Sequence, residues 1–343
     1  MICLAGRILG IDGFEKGYVI IKGKKIHEVG KIPALKPDYK GYIIPSPINA
    51  HTHLGDAFIK KRLRKLPRDL EKLVAPPKGI KHLLLERADR SEIINGIREK
   101  LMEMEGLGLA AFCDFREGGI EGINILKEAM KGFDIGSVIL SRPKSLTLDK
   151  REVEDLLKTS DGIGLSSLSD WNYDDARKIA EITRRRKKVF AMHASEGIRE
   201  DIDEILDLKP SFLVHLTKAT EGDLERVRVE NVPVVVCPRS NQFFGLRPNL
   251  ELMKKTGIEI SIGTDNAMIS DPDIYKEIRW IRRNVKVFDL EEILRMITYN
   301  PRRMLGIKME EMEEGKDANL VILDTKSLKP LFISGREVSQ DEG

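Results

Sequence analysis

The chain is 343 residues long, enough for one large domain or for a large domain with a small companion. Hydrophobic residues at 41% supply a sizeable core and exclude a disordered chain. Its 58 basic against 55 acidic side chains leave a formal charge of +3, too diffuse to argue for nucleic acid or an acidic membrane as a partner.

Three cysteines, Cys3, Cys113 and Cys237, are too few and too sparse for a disulfide framework and fit a reducing cytoplasm. The first residues lack the charged and apolar segments of a signal peptide, and no uncharged apolar run is long enough to span a bilayer. With 33% charged residues and only Gln242 and Gln340 as glutamines, the composition resembles that of proteins from hot environments.

Near the N-terminus, Tyr18 to Lys22, a turn at Gly23, Lys25 to Val29 and then Gly30 read as antiparallel hairpins. The signal returns in Ala318 to Leu323 and Leu331 to Gly335, so residues 1–46 and 307–343 are expected to form one small β-sandwich domain. Between them, over 47–306, strand and helix alternate. Apolar strand-like runs end near Ile48, Phe115, Ser141, Ser166, His193, His215, Cys237 and Thr264. Helical patterns run through Glu121 to Met130, Arg151 to Leu157, Tyr173 to Thr183 and Ile274 to Ile281. The clearest begins at Ser91, a candidate N-cap, and places Ile93, Ile94, Ile97, Leu101 and Met104 on one face. Eight strands each followed by helix or loop predict an α/β fold, a (β/α)8 TIM barrel. The connection from His53 to Arg90, with Pro67, Pro76, Pro77 and Gly79, has the length of a lid or binding loop. The basic runs Lys60 to Lys65 and Arg184 to Lys188 read as solvated faces, the second as the last turn of a helix.

Four of the six histidines fall at expected C-terminal strand ends, where barrel active sites form. In Asn49-Ala-His51-Thr-His53 the two imidazoles are two residues apart and face the same way. Alone, the pair reads more readily as two core or surface histidines placed by chance. Phe190-Ala-Met-His193-Ala-Ser-Glu196 offers a ligand and a nearby proton carrier, His215 closes another apolar run, and Asp265 closes Ile260-Ser-Ile-Gly-Thr. Histidines and an aspartate on separate strand ends suit divalent zinc or iron.

In this order, His51-Thr-His53, His193-Ala-Ser-Glu196, His215, Cys237-Pro-Arg-Ser-Asn241 and Gly263-Thr-Asp265-Asn266 resemble the amidohydrolase superfamily. They are most similar to the branch of cytosine, guanine and S-adenosylhomocysteine deaminases and triazine chlorohydrolases. The resemblance covers nearly the whole chain, including Gly315 to Asp324 and Ile297 to Pro301.

It implies one divalent metal, zinc or iron, held by His51, His53, His193 and Asp265, which lowers the pKa of bound water. No lysine ends the fourth strand, where dinuclear members carry a carboxylated one. It further implies Asp265 as the group accepting the water's proton, Glu196 as general acid/base and His215 as a hydrogen-bond partner of the attacking water. Asn241, with Arg239 or Ser240, is expected to shape the substrate side. Arg116 and Glu117 face the same mouth and could read a polar substrate or form a structural ion pair. His82 is either a solvated surface histidine or a substrate contact from the lid.

Members acting on adenosyl compounds carry a histidine after the fourth strand; here the stretch is Leu165-Ser-Ser-Leu-Ser-Asp170. The expected reaction is therefore deamination of a smaller, polar amino-heterocycle. The alternative is hydrolysis of a cyclic amide or another C–N or C–X bond. A catalytically inactive scaffold should have lost ligands, and none of the set is missing. The expected partners are a small-molecule substrate and, on base rates, a second copy in a homodimer.

Overall fold

The computed structural model describes residues 1–63 and 65–335. Arg64 of the first basic run and residues 336–343 of the expected terminal unit lie outside the described residues. Among the described residues no helix is long and apolar enough to cross a membrane.

Four strands open the chain: β1 (Ile2–Gly10), β2 (Gly13–Lys22), β3 (Lys25–Gly30) and β4 (Tyr39–Pro45). The first three pair antiparallel through tight turns, and β4 lies parallel to β1. A second sheet then begins with β5 (Ile48–His53), β6 (Ala111–Arg116), β7 (Gly136–Ser141), β8 (Gly162–Leu165) and β9 (Val189–Ala194). It continues through β10 (Phe212–His215), β11 (Val234–Val236), β12 (Ile260–Ile262) and β13 (Asp265–Asn266). All its pairings are parallel, in the order β12-β11-β10-β9-β8-β7-β6-β5-β13.

β12 and β13 are neighbours in the chain yet stand at opposite ends of that order. The Gly263 N–H donates to Val236 O at 3.0 Å on one side, and the Thr264 N–H donates to His51 O at 3.0 Å on the other. One short stretch therefore joins both ends, and the sheet curls. Helices Arg90–Gly106, Gly119–Ala129, Lys150–Thr159, Tyr173–Arg185 and Ile274–Asn284 pack apolar stripes around it. Each fully buried aliphatic side chain contributes roughly 1.5–3 kcal/mol.

The chain then returns to the first sheet through β14 (Leu320–Leu323), antiparallel to β4, and β15 (Pro330–Ile333). Both termini thus share one six-stranded sheet. Its two-residue period serves two cores. Ile43, Leu320 and Ile322 join Leu4, Val19 and Ile26, whereas Ile44, Val321 and Leu323 join the large cluster around the curled sheet.

Three local expectations change. The first parallel strand begins at Ile48 instead of ending there, because its pairing with β13 keeps the backbone extended through His53. The helix expected from Ser91 starts at Arg90, with Asp89 at the N-cap position and no side-chain cap bond. The connection after His53 is not irregular throughout: it carries α1 (Ile59–Arg62), α2 (Leu70–Val74) and α3 (Ile80–Arg87).

Gly263 permits the closest approach at the join. A Cβ there would lie 2.6 Å from the His51 Cβ and 2.8 Å from the His51 backbone N and O. Gly263→Ala should therefore lower stability by about 1–3 kcal/mol, the usual range for overpacking. A denaturant midpoint equal to the parent's would show that the join has slack.

Candidate active site

The curled sheet brings the C-terminal ends of β5, β9 and β10 to one point, with β13 beside them. The His193 Nε2 lies 3.2 Å from His51 Nε2 and 3.3 Å from His53 Nε2. Asp265 Oδ1 lies 3.4 Å and 3.6 Å from the same two nitrogens. One side-chain atom from each of the four residues falls within 4.8 Å of the others.

The His193 Nδ1 faces Leu165 O at 2.9 Å and the His53 Nδ1 faces Phe115 O at 3.1 Å, so their protons belong on Nδ1 and leave Nε2 lone pairs pointing inward. Burial lowers the His51 pKa to about 4 and takes that of His193 well below the ordinary value, which keeps both rings neutral. Two imidazole lone pairs, the Nε2 of the third ring and a carboxylate oxygen crowd together at these distances. A divalent cation is the group this set fits, and imidazole with carboxylate suits zinc or iron.

Beside the cluster stand Glu196, His215 and Asn241. The Asn241 Nδ2 donates to Glu196 Oε1 at 2.8 Å and lies 3.1 Å from His215 Nδ1. Donation to Nδ1 leaves the imidazole proton on Nε2, which is 3.4 Å from Glu196 Oε2. Burial lowers the His215 pKa to about 3, so the ring is neutral. Burial, reinforced by the Asp265 carboxylate, holds the Glu196 carboxyl well above its ordinary pKa, against the opposing hydrogen bond from Asn241. Glu196 is thereby suited to carry a proton near neutrality.

The backbone here is forced. Ser195, His215, Leu216 and Asp265 have φ of 46°, 79°, 53° and 63°, a region that L-residues with side chains rarely occupy. They are half of the eight such non-glycine residues among the described residues. Strain of this kind persists where surrounding contacts over-determine it.

Those contacts are visible. The Ser240 Oγ donates to Asp265 Oδ2 at 2.5 Å and the Asn266 Nδ2 to Asp265 Oδ1 at 2.8 Å. Glu117 Oε1 lies 2.9 Å from His53 Nδ1 and 2.6 Å from Lys81 Nζ. Burial raises the Glu117 pKa, but Lys81, His53 and Arg116 outweigh it and hold the group well below the ordinary value.

A cavity of about 580 Å³ opens over these groups, lined by Lys81, Glu117, Arg142, Ser166, Glu196 and Asn266 and covered on one side by Leu70, Val74 and Pro76 of the 54–90 connection. Of the expected substrate contacts, Glu117 is on this wall. Asn241 is buried behind Glu196 and His215. Arg116 is buried beneath, its guanidinium 3.3 Å from Glu117 Oε2 and 3.7 Å from Asp114 Oδ2, against a Gly55 that has no room for a side chain. His82 is half-buried, with Nε2 3.0 Å from Val74 O, and burial lowers its pKa to about 3. Arg239 turns to Glu277, its backbone N–H donating at 3.0 Å.

Among the lining residues not singled out are Arg142 and Lys81. Arg142 directly follows β7, so the strand-end rule that picked out the histidines would have found it. Lys81 sits on α3, among several lysines of a proline-rich connection, and nothing local marks it.

Residues 42–341 match the model of the amidohydrolase family. An uncharacterised protein of Methanocaldococcus jannaschii is 37% identical over 79% of this chain and 75% of its own length. A 5-methylthioadenosine/S-adenosylhomocysteine deaminase of Archaeoglobus fulgidus is 24% identical over 93% and 83%. Among solved structures, the atrazine chlorohydrolase TrzN from Arthrobacter aurescens, complexed with zinc, superposes with a TM-score of 0.71 at 16% identity, covering 99% of this chain and 97% of that one.

Buried charge at this site has a measurable consequence. Burial raises the pKa of Asp56, whose Oδ1 accepts the Met268 N–H at 2.9 Å, to about 7. The folded carboxyl keeps its proton up to about that pH, whereas in the unfolded chain it ionises near the ordinary 3.8. The folded state binds the extra proton in between, so this group's contribution to stability is complete below the lower value and is lost as pH rises to about 7. Asp56→Asn should remove that slope, worth on the order of a few kcal/mol. Denaturant midpoints for parent and variant that run parallel across the window would show that Asp56 does not titrate there.

Proposed function

Because this chain belongs to the amidohydrolase family, we propose that it is a metal-dependent hydrolase that deaminates an amino-substituted heterocycle. In this reading a (β/α)8 barrel over residues 47–306 carries the site. A β-sandwich unit of residues 1–46 and 307–343 flanks it, a reading supported by the terminal sheet's own hydrophobic cluster. The observation that carries the function is the meeting of two groups of side chains at one cavity. One is the His51, His53, His193 and Asp265 cluster; the other is the proton-holding Glu196 beside His215.

His51, His53, His193 and Asp265 would hold one divalent ion, zinc or iron. Such an ion supplies Lewis acidity that makes water a competent nucleophile near neutrality. The chain's own groups do the rest. Water oxygen adds to the ring carbon bearing the amino group, and Asp265 takes a proton at its carboxylate. Glu196 delivers a proton to the ring nitrogen as that bond forms. When the C–N bond breaks, the amino group leaves as ammonia with the proton that Asp265 took, the ring carbon keeps the oxygen, and the remaining hydroxyl proton returns to the Glu196 carboxylate. The His215 Nε2–H steadies the developing charge on that oxygen. Asn241, reaching both Glu196 and His215, keeps the two in register. The likeness to TrzN favours one second reading, displacement of another leaving group by the same water.

Two measurements test this. Purified protein should bind about one zinc or iron per chain, and His193→Ala should lower that occupancy. Glu196→Gln should retain metal while losing roughly two to four powers of ten in turnover, the usual worth of a general acid/base. Metal lost together with activity would make Glu196 a ligand.

Ammonia release should be followed over a panel of pterin-like and pyrimidine-like amino-heterocycles, adenosine, 5-methylthioadenosine and S-adenosylhomocysteine, with ring opening followed for a cyclic amide and chloride release for a chlorotriazine. With Ser166 and Ser167 on the cavity wall, the small polar rings are expected to give kcat/KM higher by on the order of 10⁴ than adenosyl compounds lacking a matched partner. Efficient turnover of S-adenosylhomocysteine would overturn that order, and product from only the cyclic amide or the chlorotriazine would replace deamination.

A further inference from the structure

Lys81 is the least expected charge in the molecule. Its side chain is 3% exposed although it comes from α3, in the middle of the connection that covers the cavity. An ammonium taken out of water costs several kcal/mol unless it is matched by partners. Here the matching is specific. Nζ lies 2.6 Å from Glu117 Oε1, donates to Asn266 Oδ1 at 2.9 Å and lies 3.7 Å from Asp56 Oδ2.

Each of the two near partners touches a member of the four-residue cluster. Glu117 Oε1 faces His53 Nδ1 at 2.9 Å, on the side of the ring opposite the Nε2 that points into the cluster. The Nδ1 proton goes to Phe115 O, and the carboxylate beside it acts by its charge, making the imidazole a stronger electron donor. Asn266 gives its Nδ2 to Asp265 Oδ1 at 2.8 Å. Its amide could turn over, presenting oxygen to Asp265 and repelling it. The Lys81 ammonium on Oδ1 prevents this, because only one orientation places an acceptor before Lys81 and a donor before Asp265.

We propose that Lys81 is a positioning residue. It fastens the 54–90 cover to the metal site and orders two of the four ligands, His53 through Glu117 and Asp265 through Asn266. This rests on the reading that those four residues hold a divalent ion. Seating α3 and completing the ligand set then become one event. A metal-loaded site holds the cover down, and a displaced cover loosens the metal.

The test compares parent, Lys81→Met, Lys81→Arg and Glu117→Gln as full-length chains. Zinc affinity is measured by competition with a chromophoric chelator, and protease nicking within 54–90 is followed with and without zinc. Lys81→Met should weaken zinc binding by about 10–100-fold, the usual effect of removing an outer support of a metal ligand. Zinc should protect the connection in the parent and not in this variant. Lys81→Arg should recover part of both effects, and Glu117→Gln combined with Lys81→Met should weaken binding by less than the product of the single losses. If Lys81→Met does not fold, Lys81→Arg and Glu117→Gln carry the comparison, and parental affinity with zinc-independent nicking in both overturns the proposal. Unchanged affinity in a folded Lys81→Met overturns it directly, even if nicking rises, since α3 alone would then depend on the lysine. A parent that binds no zinc, iron or manganese instead removes the metal reading itself.

Discussion

Three imidazole nitrogens and one carboxylate oxygen meet within 4.8 Å, all directed at the same small volume. Such a meeting is unfavourable on its own terms, and much of the surrounding structure is arranged to impose it. The strand pairings bring β5, β9 and β13 to a common end, the carbonyls of Leu165 and Phe115 set the tautomers of two rings, and Ser240 with Asn266 grips the carboxylate. The left-handed backbone at Asp265 and at its neighbours Ser195, His215 and Leu216 is a further cost of the same demand.

Charge is distributed around this centre in a graded way. Groups that would compete for a cation's ligands as protons are kept neutral by burial, as at His51 and His193. The opposite holds a few ångströms away, where Glu117 stays ionised because Lys81, His53 and Arg116 surround it. Glu196 lies between the regimes: buried, near Asp265, and therefore reluctant to ionise. The different ionisation of these carboxyl groups thus follows from local solvation and neighbouring charge.

Much of this was legible from residue spacing. Strand ends are where a parallel sheet presents side chains to its mouth, so histidines and an acid closing apolar runs announce themselves whatever the tertiary detail. The runs ending near Phe115, Ser141 and His215 coincide with strand ends at Arg116, Ser141 and His215. Less legible were roles that depend on which side of a neighbour a group lies. Arg116 and Glu117 are adjacent in sequence, yet Glu117 faces the cavity and Arg116 is packed under it against Gly55. Asn241 reads as a pocket residue, but its Nδ2 is turned to Glu196 and His215.

By itself the sequence determined the alternation of strand and helix, the sharing of one β unit by the two termini, and the identity of the side chains closing each strand. Those features arise from periodicities of two and 3.6 residues and from local turn chemistry, which act over a few neighbours. Only the tertiary structure decided the pairings that operate the site. Lys81 meets Asn266 across 185 positions and Asn49 meets Thr264 across 215. No local pattern can encode such contacts, because they exist only once the curled sheet has set β13 beside β5 and the 54–90 connection has folded over its mouth.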